Sequence, residues 1–299
     1  MPRGTGIEFM GLHLTNSALN LMLVGLRQSH RCNFNHYTQR GMIKSMSIAF
    51  YLPGGLPVYT FSLLVGLGSA LGLAWVARQA PQEQARRYMD AGLAALLGAL
   101  MGGRALFVAA HWNYFQAHLA EIPQVFLGGL AWGGALGGGL LTLGLAAALT
   151  RIPFADLADG MIPLSACLGV STWLGCWLVG CAYGPAANTW WGIPARDEWG
   201  ELASRWPTQL VGALLTLAMF WLLDWGRSRF RYVGQAASLG VLGLSLEMLA
   251  LAYLRADPLP AWRGLPLDAW TALAFSVLAG GALLVFSASA FTRNEDRHL

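Results

Sequence analysis

Seven stretches of the chain are each apolar and long enough to cross a hydrocarbon layer of roughly 30 Å, and this excludes nearly every soluble architecture. They run Val58–Ala77, Tyr88–Ala110, Gln124–Leu149, Leu157–Ala182, Gln209–Trp225, Val233–Leu254 and Asp268–Phe291. Inside a bilayer the backbone must satisfy its own hydrogen bonds, so such stretches are helices. The expected fold is an all-α polytopic membrane protein with seven transmembrane helices. Composition agrees: 56% of residues are hydrophobic and 11% charged, against roughly a quarter charged in soluble domains. The chain has no basic run and no RNA-binding signature, which argues against a nucleic-acid partner.

Arginine placement sets the expected orientation. Arg78, Arg86, Arg87, Arg151, Arg227, Arg229, Arg231, Arg293 and Arg297 fall on one side of the seven spans; Arg196, Arg205, Arg255 and Arg263 fall on the other. The excess marks the cytoplasmic side, so the first span begins outside and the C-terminus is cytoplasmic. Residues 1–45 fit this scheme poorly. Ile7–Leu26 is only moderately apolar, and Arg27, Arg31, Arg40 and Lys44 follow it, the reverse of a signal peptide. Two readings stay open: an upstream start, with the natural chain beginning near Met46, or an eighth hydrophobic segment lying on the membrane. The seven-span domain is residues 46–299.

Charges inside spans are expensive and mark function or pairing. Arg104 lies in the second span, Asp159 at the start of the fourth and Glu247 in the middle of the sixth. Each needs a partner or an aqueous cavity: the preferred expectation is a ligand-facing cavity, and the alternative is structural pairing, for example Arg104 with Asp159 or Glu247. The third span is glycine-rich, "LGGLAWGGALGGGLL". Small residues four apart let helices approach closely, which suggests a packed centre built from the third and fourth spans.

The four cysteines, Cys32, Cys167, Cys176 and Cys181, form no recognisable framework. With Trp173–Gly184 taken as helical, Cys176 and Cys181 point about 140° apart. Their Cα atoms are then more than ~7 Å apart, too far for a disulfide. A zinc site would need closer ligand spacing. The thiols are expected to pack as small hydrophobes. The long tryptophan-rich loop that follows carries Arg196 and Arg205, suited to the membrane interface.

"GCWLVGCAYG", then "WGI" and "RWPTQL", resembles the prolipoprotein diacylglyceryl transferase family. So do "GGRALFVAAHWN", "GGLAWGGALGGG", "LADGMIPL" and "YLRADPLPAWRGLPLDAWTAL", in the family's order across roughly residues 55–290. The resemblance implies a multi-pass protein of the bacterial plasma membrane. It implies transfer of the diacylglyceryl group of phosphatidylglycerol to the signal-sequence cysteine of a prolipoprotein, with glycerol-1-phosphate leaving and no metal or cofactor. Such a site needs a base for the thiol and cations for the leaving phosphate. Carried onto this sequence, Arg104 and Arg255 would hold phosphate and Asp159 would orient them. Tyr183, Glu247 and His111 are the candidate bases. Gly184, Arg196, Arg205, Gln209 and Cys176 complete the substrate-binding set.

The sequence departs from the family pattern at the chemistry. The family's histidine falls on Trp132, its fourth-span arginine on Trp173, and its asparagine and glutamate on Cys176 and Cys181. Its first-span tyrosine falls on Phe61, its sixth-span arginine on Met248 and a nearby glutamate on Ala252. Two further readings follow. The chain is a non-catalytic lipid- or partner-binding relative, or Cys176 serves as a nucleophile in a different transfer.

Overall fold

The computed structural model describes residues 48–55, 57–125, 128–230 and 232–295. The expectations for residues 1–45 lie outside the described residues. A short hairpin, β1 (Ile48–Tyr51) with β2 (Pro57–Tyr59), leads into α1 (Thr60–Gln79). Then follow α2 (Ala85–Ala110), α3 (Trp132–Thr150) and α4 (Ile162–Val179). A second hairpin, β3 (Ile193–Arg196) and β4 (Leu202–Arg205), precedes α5 (Thr208–Trp225) and α6 (Gln235–Ala252). A third, β5 (Ala261–Trp262) and β6 (Leu265–Pro266), precedes α7 (Leu267–Glu295). Among the described residues seven helices are long and apolar enough to span a membrane. All three hairpins lie at one end of the helices, called here the hairpin end.

Contacts between helices run α3–α2–α1–α4–α5–α6–α7 and return from α7 to α3. Leucines such as Leu71, Leu141, Leu149 and Leu284 are exposed on the outside, where a bilayer would cover them. The third and fourth spans meet only at one end, where Leu143, Ala146 and Ala147 pack with Leu157, Ala158, Met161 and Leu164; the main partner of α3 is α2, which narrows the sequence expectation. Of the α3 glycines, Gly134, Gly138 and Gly139 face α2, while Gly133 and Gly137 face α7. A Cβ on Gly138 would stand 2.1 Å from the Gly98 carbonyl oxygen, and one on Gly134 would stand 2.3 Å from that of Gly102. Two small-residue rows thus interlock backbone to backbone. Helix α4 packs on α1 in the same way, with Gly68 and Gly72 against Ser171 and Leu164.

Two boundaries differ from the sequence reading for local reasons. The third span starts at Trp132 rather than Gln124 because Gly128 and Gly129 take φ of 83° and 75°, which turns the chain before the helix. The fourth is split into a short helix, Phe154–Gly160, and α4. Pro163 has no N–H to continue the first piece, and it sits in the opening turn of the second, where none is needed.

Candidate functional site

Three sequence segments far apart in the chain meet at the hairpin end. Helix α4 stops at Val179, and Gly180 reverses the chain with φ 82°. Cys181 folds back beneath the last turn, and its N–H donates to the Cys176 carbonyl at 3.0 Å. Cys176 and Cys181 form a disulfide with Cα atoms 4.6 Å apart. This corrects the expectation of two unlinked thiols. That expectation extended the helix to Gly184, and glycine in the left-handed region is what ends it early. Cys176 therefore presents no free thiol in this state, against its reading as a nucleophile.

The reversed strand is tied to both other segments. Ala256 N–H donates to the Tyr183 carbonyl at 2.8 Å, Trp206 N–H to that of Pro185 at 2.9 Å, and the Gln209 amide to that of Cys181 at 3.0 Å. Gly184 is buried where a Cβ would fall 2.4 Å from the Trp206 carbonyl oxygen, so the approach requires glycine. Gln209 is fully buried, and its Oε1 has no partner among the described residues.

Around this junction lie the charges. The Arg205 guanidinium stacks 4.6 Å over the Tyr183 ring and pairs with Asp197 at 3.0 Å, leaving its buried Nε without an acceptor among the described residues. The Tyr183 hydroxyl donates to Glu198. Burial first, then the Glu198 carboxylate, pushes that phenol above its ordinary value, so it stays protonated at neutral pH. Arg255 binds Asp257 through two bonds, 2.8 and 2.5 Å, and Asp268 through one at 3.1 Å. Arg196 is exposed and closes the β3–β4 turn on the Gly200 carbonyl at 2.9 Å.

The other sequence candidates are placed apart from this cluster. Arg104, 8% exposed, donates to the carbonyls of Glu121, Ile122, Gly128 and Gly129 at 2.7, 2.8, 2.8 and 3.2 Å. It also packs on Phe107 and Phe115. It pairs with neither Asp159 nor Glu247 among the described residues; four carbonyls of the α2–α3 connection satisfy it instead. Asp159 lies at the opposite end, where it accepts from Gly234 N–H and Ala237 N–H, both at 2.7 Å, and caps α6. Burial raises its carboxyl above the usual range, although these two bonds pull the other way. Glu247 is buried in mid-membrane, accepting from the Trp173 indole N–H at 2.9 Å and the Thr216 hydroxyl at 2.8 Å. It thereby joins α4, α5 and α6. His111 Nδ1 donates to the Phe107 carbonyl at 2.9 Å.

If Arg104 clamps the connection through its fork, lysine cannot replace it, since a single ammonium cannot reach four carbonyls. Arg104→Lys is expected to cost about 2 kcal/mol or more through buried acceptors left unpaired. Amide hydrogen exchange should lose protection in residues 111–131 while α5 and α6 stay protected. Unchanged protection there would refute the clamp.

The sequence reading missed Asp197, Glu198, Asp257, Asp268 and Thr216. "ARDEWGE" carries consecutive carboxylates between Arg196 and Arg205, and Asp257 follows Arg255 by two. Those spacings were a usable signal. Thr216 was not findable, because a lone hydroxyl in an apolar helix has no pattern of its own.

A family model described as prolipoprotein diacylglyceryl transferase matches residues 47–286. The chain belongs to this family. Among curated relatives, the phosphatidylglycerol–prolipoprotein diacylglyceryl transferase of Thermosynechococcus vestitus is 27% identical over 252 residues, 75% of this chain and 93% of that protein. The Streptomyces griseus protein of the same name is 27% identical over 237 residues, 76% and 72% of the two chains. That of Bacillus licheniformis is 34% identical over 160 residues, 53% of each. The family match takes in β1 through α7 up to residue 286, so the ring of helices and the hairpin-end junction both lie inside it.

Proposed function

We propose that the chain is a phosphatidylglycerol–prolipoprotein diacylglyceryl transferase of the bacterial plasma membrane. The observation that carries this is the convergence, at one end of a family-spanning seven-helix ring, of "GCAYG", "RWPTQL" and "YLRADP". Two independent facts support placing that end outside the cell. The arginine excess lies at the other end, and a disulfide persists in oxidising compartments such as the periplasm.

In this reading the substrate thiolate forms a C–S bond to the glyceryl carbon while the carbon–oxygen bond to phosphate breaks. Glycerol-1-phosphate leaves with the electron pair. Arg205, whose Nε is uncommitted, and exposed Arg196 supply donors to the leaving phosphate. Glu198, held by Tyr183, accepts the thiol proton. Arg255 acts from behind, holding the segment whose Ala256 N–H grips Tyr183, whereas Arg104 and Asp159 support the fold elsewhere, at the α2–α3 connection and the start of α6.

One observation favours the non-catalytic reading. The buried guanidiniums, Arg104, Arg205 and Arg255, all spend donors on protein acceptors. A single experiment separates the two. Cells depleted of their own transferase and expressing this chain should accumulate diacylglyceryl-modified lipoprotein, seen by mobility and mass. Arg205→Ala should lower the rate about 10²-fold, as loss of a transition-state donor does. A chain that reaches the membrane yet modifies no lipoprotein would leave the binding reading standing. Full activity in Arg205→Ala would remove the assignment of the phosphate donors.

A further inference from the structure

We infer that the Cys176–Cys181 disulfide is a positioning element of the reaction site, and that transfer requires its oxidised form. The inference rests on the transferase reading for its activity consequence but on geometry for its structural one. Between Gly180 and Tyr183 the backbone enters the left-handed region twice, at Gly180 (φ 82°) and at Ala182 (φ 52°). Alanine there is strained by about 1–3 kcal/mol and persists only where the surroundings over-determine it. Ala182 is 4% exposed.

The crosslink spans that reversal and joins it to the last turn of α4. Opposite it, the Asp197 carbonyl of the β3–β4 hairpin would lie 2.3 Å from any Cβ on Gly180. The turn is therefore gripped covalently on one side and by the hairpin on the other. Everything it presents bears on the site: the Cys181 carbonyl receives Gln209, the Tyr183 carbonyl receives Ala256, and the Tyr183 phenol meets Glu198 and Arg205.

With the bond open, the reversal loses its covalent tie and is held only by the hairpin and by single hydrogen bonds such as those from Gln209 and Ala256. The strained Ala182 can relax, and Tyr183 with Glu198 leaves its place beneath Arg205. The remaining thiol described in the structure, Cys167, lies in α4 and is unlinked; removing it together with Cys32 leaves the pair as the one redox-active site in the test protein. A displacement of about 1 Å at a reacting group costs on the order of 10²-fold in rate.

The test uses the full chain carrying Cys32→Ala and Cys167→Ala, in phosphatidylglycerol vesicles, with a pre-reduced lipoprotein signal peptide as acceptor. A water-soluble phosphine opens the disulfide: the S–S bond breaks, two thiols form, and the phosphine is oxidised with oxygen taken from water. Thiol alkylation followed by mass measurement reports the state of the pair. Transfer should fall about 10²-fold on reduction and return when oxidised glutathione, itself reduced, recloses the bond. Cys176→Ala/Cys181→Ala should match the reduced protein and ignore the phosphine.

Amide exchange is read in the same samples. Protection should be lost at Cys181, Trp206 and Ala256 and retained along α2, α3 and α6, whereas a general loss of stability would raise exchange throughout. Verified reduction with unchanged transfer and unchanged exchange at these amides overturns the inference. If the oxidised protein transfers nothing, the transferase reading fails on its own. The amide exchange then decides the positioning role: local loss upholds it, no change ends it.

Discussion

Arg255→Met should leave little folded protein in the membrane. The guanidinium neutralises Asp257 and Asp268 together, and all three side chains are 12–15% exposed. Methionine fills the stem's volume but leaves two carboxylates facing each other out of water. Breaking such a buried pair from one side costs about 3–5 kcal/mol, a large share of the ~5–15 kcal/mol that holds a domain together. The thermal midpoint in detergent should fall accordingly. The triple variant Arg255→Met/Asp257→Asn/Asp268→Asn should regain much of the loss, because it removes the uncompensated charges. Arg255→Lys should lie between them, since an ammonium cannot make the paired fork to Asp257. A single variant as stable as the parent would mean that solvent reaches these carboxylates.

Gly138→Leu is expected to separate α2 from α3. Its Cβ would meet the Gly98 carbonyl at 2.1 Å and the Gly102 Cα at 3.0 Å. Both are backbone atoms, so no side chain can swing aside. Overpacking of this kind costs about 1–3 kcal/mol or more. The consequence reaches further, because α3 also closes the ring through Gly133 against Thr271 of α7. Gly280→Ala is the control, with nothing within 4 Å of the new Cβ. In mid-helix it should be neutral or stabilise by up to about 1 kcal/mol. The two midpoints, measured side by side, should move apart; equal midpoints would refute the interlocked seam.

The span count and most span ends could be read directly, because hydropathy is a property of each segment alone. Where the reading slipped, glycine or proline was responsible. Gly128 and Gly129 delayed α3, Pro163 divided the fourth span, and Gly180 ended α4 at Val179 instead of the expected Ala182. The last slip mattered most. It turned two cysteines five residues apart from strangers on a helix into a bonded pair.

Partnerships were far less legible than positions. Arg104, Asp159 and Glu247 stood out as misfits, yet no two of them meet. A backbone fork of carbonyls, a helix N-terminus and an indole–hydroxyl pair satisfy them separately. Backbone carbonyls and amides occur at every residue and leave no mark in a sequence, so their use as ion partners is invisible there. Arg205 and Tyr183 were named among the site residues, but their stacking and the nearby Glu198 depend on how the hairpin folds over α4.

By itself, then, the sequence determined a seven-helix membrane protein, its family and the motifs worth watching, because burial in lipid and ordered short motifs are written locally. Only the tertiary structure decided which helices touch, that Cys176 reaches Cys181, and which charges answer one another. These depend on turns of a few residues whose small angular changes redirect everything beyond them.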